Sequence, residues 1–191
     1  KTAASALLRG ARGNSGVILS LLFRGIAKSL KDRETIDGRD LAIALDFGVA
    51  AAYKAVMKPA EGTILTVSRL AAAQAAAAAR EENAAESVLE AAIREGQEAL
   101  ADTINQNPVL KKAGVVDAGG KGFLVILQGM LDSLRGEPMP QVEEESAPAD
   151  KADFVAMAAE DITFAFDTVF IVRKHTEEVD LEPFRTYLNS I

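Results

Sequence analysis

Three glycine-containing segments carry the residue types best suited to holding a phosphorylated ligand. They cover residues 10–16, 58–66 and 114–122, and each leads into a stretch with the apolar spacing of a helix. The first amides of a helix have no partner within it and, together with the helix dipole, attract an anion such as phosphate. Glycine lets the backbone approach such a ligand closely. The pattern indicates phosphate binding, although each segment taken alone is more typical of an ordinary helix start.

The first segment combines backbone amides with polar side chains. Asn14 and Ser15 can add hydrogen bonds to a ligand, and Arg12 can add a positive charge. The alternative is that Asn14 or Ser15 simply caps the following helix, which is the commonest use of these residues. The segment is not a Walker A loop, because it does not end in Gly-Lys-Ser or Gly-Lys-Thr.

The other two segments suit the sugar and base of a nucleotide. In the second segment, Thr63 can cap a helix or face a ligand, and Ile64 can form an apolar wall for a base. In the third, Asp117 can accept a hydrogen bond from a ribose hydroxyl or orient a water, and Gly119 can present its amide. The alternatives are a loop closed by a hydrophobic staple and a flexible loop with Asp117 as a turn residue.

The elements that must position these segments are predicted to be helices. Apolar residues recur at helical spacing over four long stretches, and a fifth stretch among them is rich in alanine, the best helix former. The end of another helix precedes them. The stretches are residues 16–30, 40–57, 62–80, 84–104 and 122–134, preceded by residues 2–9. Asp40 is a predicted N-cap, and residues 105–120 are predicted to form a loop. Alternate connections of an up-and-down bundle gather at one end, so the three segments can form one site.

Composition excludes several kinds of site. The 191 residues include no cysteine and one histidine, which excludes disulfides, cysteine-ligated zinc, iron–sulfur clusters and thiol catalysis. A net charge of −7 and an aromatic content of 5% argue against nucleic-acid binding. The most apolar run, residues 70–79, is too short for a membrane span, and the N-terminus is not a secretory signal. We therefore expect a cytoplasmic protein, and the lack of an initiator Met suggests that the natural chain begins before Lys1.

The chain is predicted to divide after its helical part. Residues 1–135 form the helical domain, and residues 136–152, rich in proline and glutamate, form a linker. Residues 153–191 are predicted to begin an α/β domain, with a strand at 162–172 and a short helix at 180–188.

Taken together and in order, the three segments resemble a known family, the ATP-binding subunit of bacterial fatty acid kinase. The motifs that carry the resemblance are Gly-Ala-Arg-Gly-Asn-Ser-Gly-Val-Ile-Leu-Ser (10–20), Lys-Pro-Ala-Glu-Gly-Thr-Ile-Leu-Thr-Val (58–67) and Asn-Pro-Val-Leu-Lys-Lys-Ala-Gly-Val-Val-Asp-Ala-Gly-Gly-Lys-Gly (107–122). The nucleotide-binding domain of that subunit is similar to the L subunit of dihydroxyacetone kinases. The resemblance covers residues 1–135, and three motifs in register make it far more specific than any one of them.

The resemblance implies an all-α fold, an antiparallel up-and-down helical barrel of about eight helices. The first helices are incomplete here, and a fragment of an α/β domain follows the barrel. ATP and magnesium are the implied cofactors. The implied nucleotide-binding residues are Gly13, Asn14, Ser15, Gly16, Gly62, Thr63, Ile64, Asp117 and Gly119. The family's magnesium ligands lie in an aspartate-rich motif that has no match here, so no metal ligand is assigned and the motif is expected before Lys1.

The implied activity is transfer of the γ-phosphoryl group of Mg-ATP to a fatty acid carboxylate. A separate fatty-acid-binding protein presents the substrate, and the product is an acyl phosphate. Without the aspartate motif the fragment itself is expected to be inactive. Two alternatives remain open at this point, the ATP-binding subunit of a dihydroxyacetone-type kinase and a non-catalytic nucleotide-binding module. The resemblance also leaves a homodimer open, with neither nucleic acid nor a membrane span involved.

Overall fold

The computed structural model describes residues 2–138, 180–188 and 190, and this part of the chain is helical without any strand. The helices of the first range are α1 (Thr2–Gly10), α2 (Gly13–Ser29), α3 (Gly38–Ala55), α4 (Ile64–Glu81), α5 (Ala85–Gln106), α6 (Pro108–Ala113) and α7 (Ala118–Leu134). They belong to a compact unit over Lys1–Phe154, and α8 (Glu182–Leu188) belongs to a second unit over Val155–Ile191. No described helix is both long enough and apolar enough to cross a bilayer.

Successive long helices run antiparallel, so their starts alternate between two ends of the bundle. Gly38, at the start of α3, donates its amide to the carbonyl of Asn83 between α4 and α5, at 3.3 Å. Gly62, just before α4, packs against Asn107, just after α5. Arg135, just after α7, pairs with Glu86 in the first turn of α5 at 2.7 Å. We call the end where α2, α4 and α7 begin the upper end, and the end where α3 and α5 begin the lower end.

Small residues let the helices of the bundle approach one another closely. Helix α4 buries an alanine face against its neighbours, formed by Ala71, Ala72, Ala75 and Ala79. Alanine has the highest helix propensity, and its short side chain shortens the distance between packed helices. Where α2 crosses α3, a Cβ at Gly25 would lie 2.6 Å from the Cα of Gly48. The two backbones are therefore in direct contact at this crossing.

The four long helices predicted from apolar spacing and the fifth predicted from its alanine content are confirmed, with ends that shift by a few residues. The predicted N-cap of α3 is wrong. Asp37 is the N-cap, and its carboxylate accepts a hydrogen bond from the amide of Asp40 at 2.9 Å. Asp40 lies inside the first turn, where its negative charge interacts favourably with the helix dipole. Two acidic residues three positions apart can each fill the cap position in a sequence, and only the backbone conformation distinguishes them.

The loop predicted over residues 105–120 is also corrected, because it contains α6. Asn107 caps this short helix by accepting a hydrogen bond from the amide of Val109 at 3.0 Å, and Pro108 occupies its first turn. The helix ends at Ala113, and its C-cap is Gly114, whose φ of 67° is in the left-handed region. Six helical residues are too few to show an apolar period, so periodicity could not detect α6.

The predictions for the C-terminal part are tested only in part. The short helix predicted over residues 180–188 is confirmed as α8. The strand predicted at 162–172 and most of the linker predicted at 136–152 lie outside the described residues. The α/β domain predicted over residues 153–191 stays a prediction.

Replacing Gly25 by alanine tests the close crossing of α2 and α3. The new Cβ would meet the backbone of Phe47 and Gly48, which cannot turn aside as a side chain can. We therefore expect the free energy of unfolding to fall by about 1–3 kcal/mol, despite the better helix propensity of alanine. Urea unfolding followed by circular dichroism measures this. The control is Gly129→Ala on α7, where nothing lies within 4 Å of the new Cβ. Equal stability of the two variants would contradict the crossing.

Candidate functional site

The three glycine-containing segments of the sequence meet at the upper end of the bundle. A Cβ at Gly119, in the first turn of α7, would lie 3.0 Å from the Oγ of Ser15 in the first turn of α2. A Cβ at the next residue, Gly120, would lie 2.8 Å from the side chain of Val67 in the first turn of α4. The start of α7 thus lies between the starts of α2 and α4. Most of the predicted site residues therefore lie close together.

The first turn of α2 presents backbone amides that its N-cap residue does not bond. The helix begins at Gly13, whose φ of 71° is in the left-handed region, and its N-cap is Arg12, which makes no side-chain cap hydrogen bond. Asn14 and Ser15 lie within the helix and are exposed. Neither is therefore the N-cap, which was the alternative role considered for them. Gly16 is half-buried against Ala11. An anion at this helix end would meet open amides and two exposed polar side chains.

The turn before α4 is held from several directions. Thr63 is the N-cap of α4, accepting from the amide of Leu65 at 3.3 Å and donating to the carbonyl of Ala60 at 2.8 Å. Gly62 is buried with a φ of 71°, and its amide is shared between Thr66 Oγ1 at 2.9 Å and Gln106 Oε1 at 3.1 Å. The turn is therefore rigid.

Ile64 does not form the apolar wall that the sequence suggested. Its side chain is 2% exposed and packs in the hydrophobic core of the bundle. The sequence does not show which apolar residue at this helix start is exposed, and the packing of neighbouring helices buries both Ile64 and Leu65.

Asp117 organises the turn before α7. It is the N-cap of that helix, and its Oδ2 accepts a hydrogen bond from the amide of Gly120 at 2.6 Å. Its own amide donates to the hydroxyl of Thr103, in the last full turn of α5, at 3.1 Å. Asp117 is half-buried, as is Gly119 beside it. The carboxylate is thus a fixed acceptor at the same end as the open amides of α2.

The charge of the helix starts differs between the two ends of the bundle. The first turns of α2, α4 and α7 contain no acidic residue. At the lower end, the first turns of α3 and α5 contain Asp40 and Glu86. Because Asp117 caps α7 and Thr63 caps α4, the start of α2 is the one at this end without either a side-chain cap or an acid, and it leaves that favourable position to an external anion.

A polar cluster beside the turn before α4 includes residues that the sequence analysis did not single out. The carboxylate of Glu61 accepts from the hydroxyl of Thr66 at 2.7 Å and from Arg69 Nη2 at 3.0 Å, and Arg69 Nε donates to the hydroxyl of Tyr53 at 3.1 Å. The hydrogen bond from Thr66 is the main cause of a lowered pKa for Glu61, with Arg69 adding to it. Glu61 and Thr66 both belong to the second glycine-containing segment, and this position could have identified them as candidate site residues.

The described residues do not provide a magnesium site by themselves. They contain no group of three or more His, Cys, Asp or Glu side chains placed to hold a metal ion. Hard cations need several oxygen ligands, and Asp117 alone does not supply them. The start of α2 suits an anion such as phosphate, whereas the described residues do not supply the oxygen ligands of a magnesium ion.

The lowered pKa of Glu61 predicts how stability responds to acid. A carboxylate whose pKa is lowered by folding stabilises the protein fully above its unfolded value, here 4.5, and loses this contribution as the pH falls through the folded value. In Glu61→Gln, whose amide does not ionise, we expect less loss of melting temperature between pH 5 and pH 3 than in the wild type. Thermal denaturation across this range measures the difference. An unchanged acid dependence would show that Glu61 does not bond Thr66 as described.

Comparison with known proteins identifies the family. Residues 1–132 match the DAK2 domain. The chain is 45% identical to protein YloV of Bacillus subtilis over 192 residues, which covers 96% of this chain and 35% of YloV. It is 44% identical over 192 residues to the uncharacterized protein SSP1546 of Staphylococcus saprophyticus, covering 97% of this chain and 35% of that protein. The chain thus spans about a third of the length of these relatives. With more than half of its residues matched, this chain belongs to the DAK2 domain family, whose domains are like the L subunit of dihydroxyacetone kinase.

Proposed function

We propose that this chain is the nucleotide-binding domain of an ATP-dependent kinase that phosphorylates a fatty acid. The acceptor is the carboxylate of a fatty acid held by a separate fatty-acid-binding protein, and the product is an acyl phosphate. The observation that carries the proposal is the contact between Ser15 and Gly119, because it joins the open amides of α2 to the start of α7. Membership of the DAK2 domain family supports the nucleotide-binding part.

In this proposal the phosphates lie at the first turn of α2. Gly13, Asn14, Ser15 and Gly16 supply amides and polar side chains there, and the absence of an acidic residue from that turn removes repulsion. The turns at Gly62–Thr63 and Asp117–Gly119 approach the rest of the nucleotide, and the carboxylate of Asp117 accepts from a ribose hydroxyl. ATP would therefore be bound mainly by backbone groups on rigid turns.

The reaction itself is a displacement at phosphorus. A carboxylate oxygen of the fatty acid forms a bond to the γ-phosphorus, the bond from that phosphorus to the β,γ-bridging oxygen breaks, and ADP leaves. Catalysis of such a transfer consists mostly of positioning and charge stabilisation. The described residues contribute binding and orientation of the nucleotide. Magnesium would supply charge neutralisation, and its ligands have to come from outside the described residues.

The length of the relatives favours a fatty acid kinase over a stand-alone subunit. This chain covers 35% of YloV and of SSP1546, so both are much longer proteins in which this domain is one part. The L subunit of a dihydroxyacetone kinase normally stands alone. A dihydroxyacetone-type kinase remains the second candidate, because the DAK2 domain is the family matched. A non-catalytic nucleotide-binding module is the third, favoured by the lack of a metal-binding cluster among the described residues.

Replacing Gly119 by alanine tests nucleotide binding, and a separate measurement follows the thermal stability of the fold. In the full-length protein we expect ATP with magnesium to raise the melting temperature, because saturating ligand stabilises a fold by about 2–4 kcal/mol. In Gly119→Ala the better helix propensity of alanine offsets part of the steric cost of a Cβ placed 3.0 Å from Ser15 Oγ and 3.2 Å from Asp117 Oδ2, and the displacement of these groups should weaken ATP binding several-fold.

The matched control is Gly122→Ala, on the same helix with nothing within 4 Å of the new Cβ. It should keep the affinity of the wild type for ATP. Calorimetric titration and thermal denaturation of the three proteins decide the matter. Wild-type protein that is not stabilised by millimolar Mg-ATP would refute nucleotide binding.

Activity is tested with an acyl phosphate assay on the full-length protein and a fatty-acid-loaded partner protein. Ser15→Ala should lower turnover by about 10- to 100-fold, the effect of one hydrogen bond to a charged group. Ser68→Ala should have much less effect, because Ser68 is buried in α4 and its hydroxyl donates to the carbonyl of Leu65 at 3.0 Å. Equal losses of turnover in the two variants would show that Ser15 is not part of the site. Transfer to dihydroxyacetone without acyl phosphate would favour the second candidate.

A further inference from the structure

The C-terminal end of α5 forms hydrogen bonds with two connecting segments at the upper end, the turn before α4 and the turn before α7. The side chain of Thr103 accepts a hydrogen bond from the amide of Asp117 at 3.1 Å, and the side chain of Gln106 accepts one from the amide of Gly62 at 3.1 Å. Thr103 and Gln106 are three positions apart, and so they are neighbours on one side of the helix. One helix end therefore touches both the turn before α4 and the turn before α7.

Both side chains are themselves fixed by a second hydrogen bond. Thr103 is fully buried, and its hydroxyl donates to the carbonyl of Leu100 at 2.6 Å. This uses the hydroxyl proton, so the oxygen can only accept from Asp117. The amide nitrogen of Gln106 donates to Asp102 Oδ2 at 2.6 Å, which directs its oxygen towards Gly62.

We propose that Thr103 and Gln106 are positioning residues that set the separation of the Gly62–Thr63 turn and the Asp117–Gly119 turn. The proposal rests on the proposed function, in which one nucleotide contacts both turns. A ligand that bridges two turns binds more tightly when their separation is fixed beforehand, because less ordering is required on binding. Neither residue touches the nucleotide in this scheme, and each acts through a backbone amide.

The other hydrogen bond to the Gly62 amide does not have this effect. Thr66 accepts it at 2.9 Å from within α4, the helix that follows the same turn. Such a bond stiffens the turn without relating it to the turn before α7. The bonds from α5 are different because α5 is a separate helix that packs against both α4 and α7.

The test compares the affinity for ATP with thermal stability in variants of the full-length protein. Thr103→Val replaces the hydroxyl by a methyl of similar size, and Thr103→Ser keeps the hydroxyl. We expect ATP to bind about 5- to 20-fold more weakly to Thr103→Val and to Gln106→Ala, as for the loss of one hydrogen bond. Thr103→Ser should bind within about twofold of wild type, and so should the control Gln97→Ala, an exposed residue of the same helix.

The measurement is calorimetric titration with ATP at a temperature where every variant is fully folded. A lowered melting temperature of Thr103→Val with an unchanged dissociation constant would show a purely structural role and overturn the inference. If Thr103→Ser bound ATP as weakly as Thr103→Val, the inference would also be overturned, because the hydroxyl would then be irrelevant. Wild-type protein without affinity for ATP would overturn the proposed function, and this inference with it. Tight binding by the wild type and by Thr103→Val would overturn the inference alone.

Discussion

The upper end of the bundle depends on the absence of a side chain at the start of α7. A Cβ at Gly119 would lie 3.0 Å from the Oγ of Ser15 and 3.2 Å from the carboxylate of Asp117. A Cβ at Gly120 would lie 2.8 Å from Val67 and 3.3 Å from Leu100. Two consecutive glycines thus let α7 begin among α2, α4 and α5. Larger residues would separate these helix starts and move Ser15 away from the start of α7.

The lower end is built on the opposite principle, since it satisfies its own polar groups. Asn83 donates to Asp37 at 2.8 Å and accepts from the amide of Arg39 at 2.7 Å. The hydrogen bond from the amide of Asp40 is the main cause of a lowered pKa for Asp37, and Asn83 adds to it. Arg135 pairs with Glu86 and Glu90 across the same end. Bonds between loops and helices close this end, whereas the upper end keeps exposed polar groups at the start of α2.

The sequence predicts the helices well because their apolar residues repeat over long stretches. It also predicts that the three turns meet, since an up-and-down topology follows from short connections between long helices. The roles of Thr103 and Gln106 are beyond such reasoning. Gln106 bonds a residue 44 positions away, and nothing in its immediate neighbourhood distinguishes it from an ordinary surface glutamine. The burial of Ile64 was missed for the same reason, because it depends on which helices pack around α4.

The start of α2 differs from the other helix starts in how its first amides are bonded. Side chains of the N-cap residue bond the first amides of α3, α4, α6 and α7, whereas α2 and α5 lack such a bond. A missing cap costs about 1 kcal/mol. In α5 the negative charge of Glu86 in the first turn offsets this cost in part, and α2 has no acidic residue in its first turn.

Helix α2 is therefore the one long helix among α2–α5 and α7 whose start has neither a side-chain cap nor an acid in the first turn. A bound phosphate would supply both the hydrogen-bond acceptors and the negative charge that this start lacks. An acidic cap added there would stabilise the free protein and compete with a bound phosphate. In the proposed function, the missing cap and the missing acid at this helix start leave its first amides to the phosphates of the nucleotide.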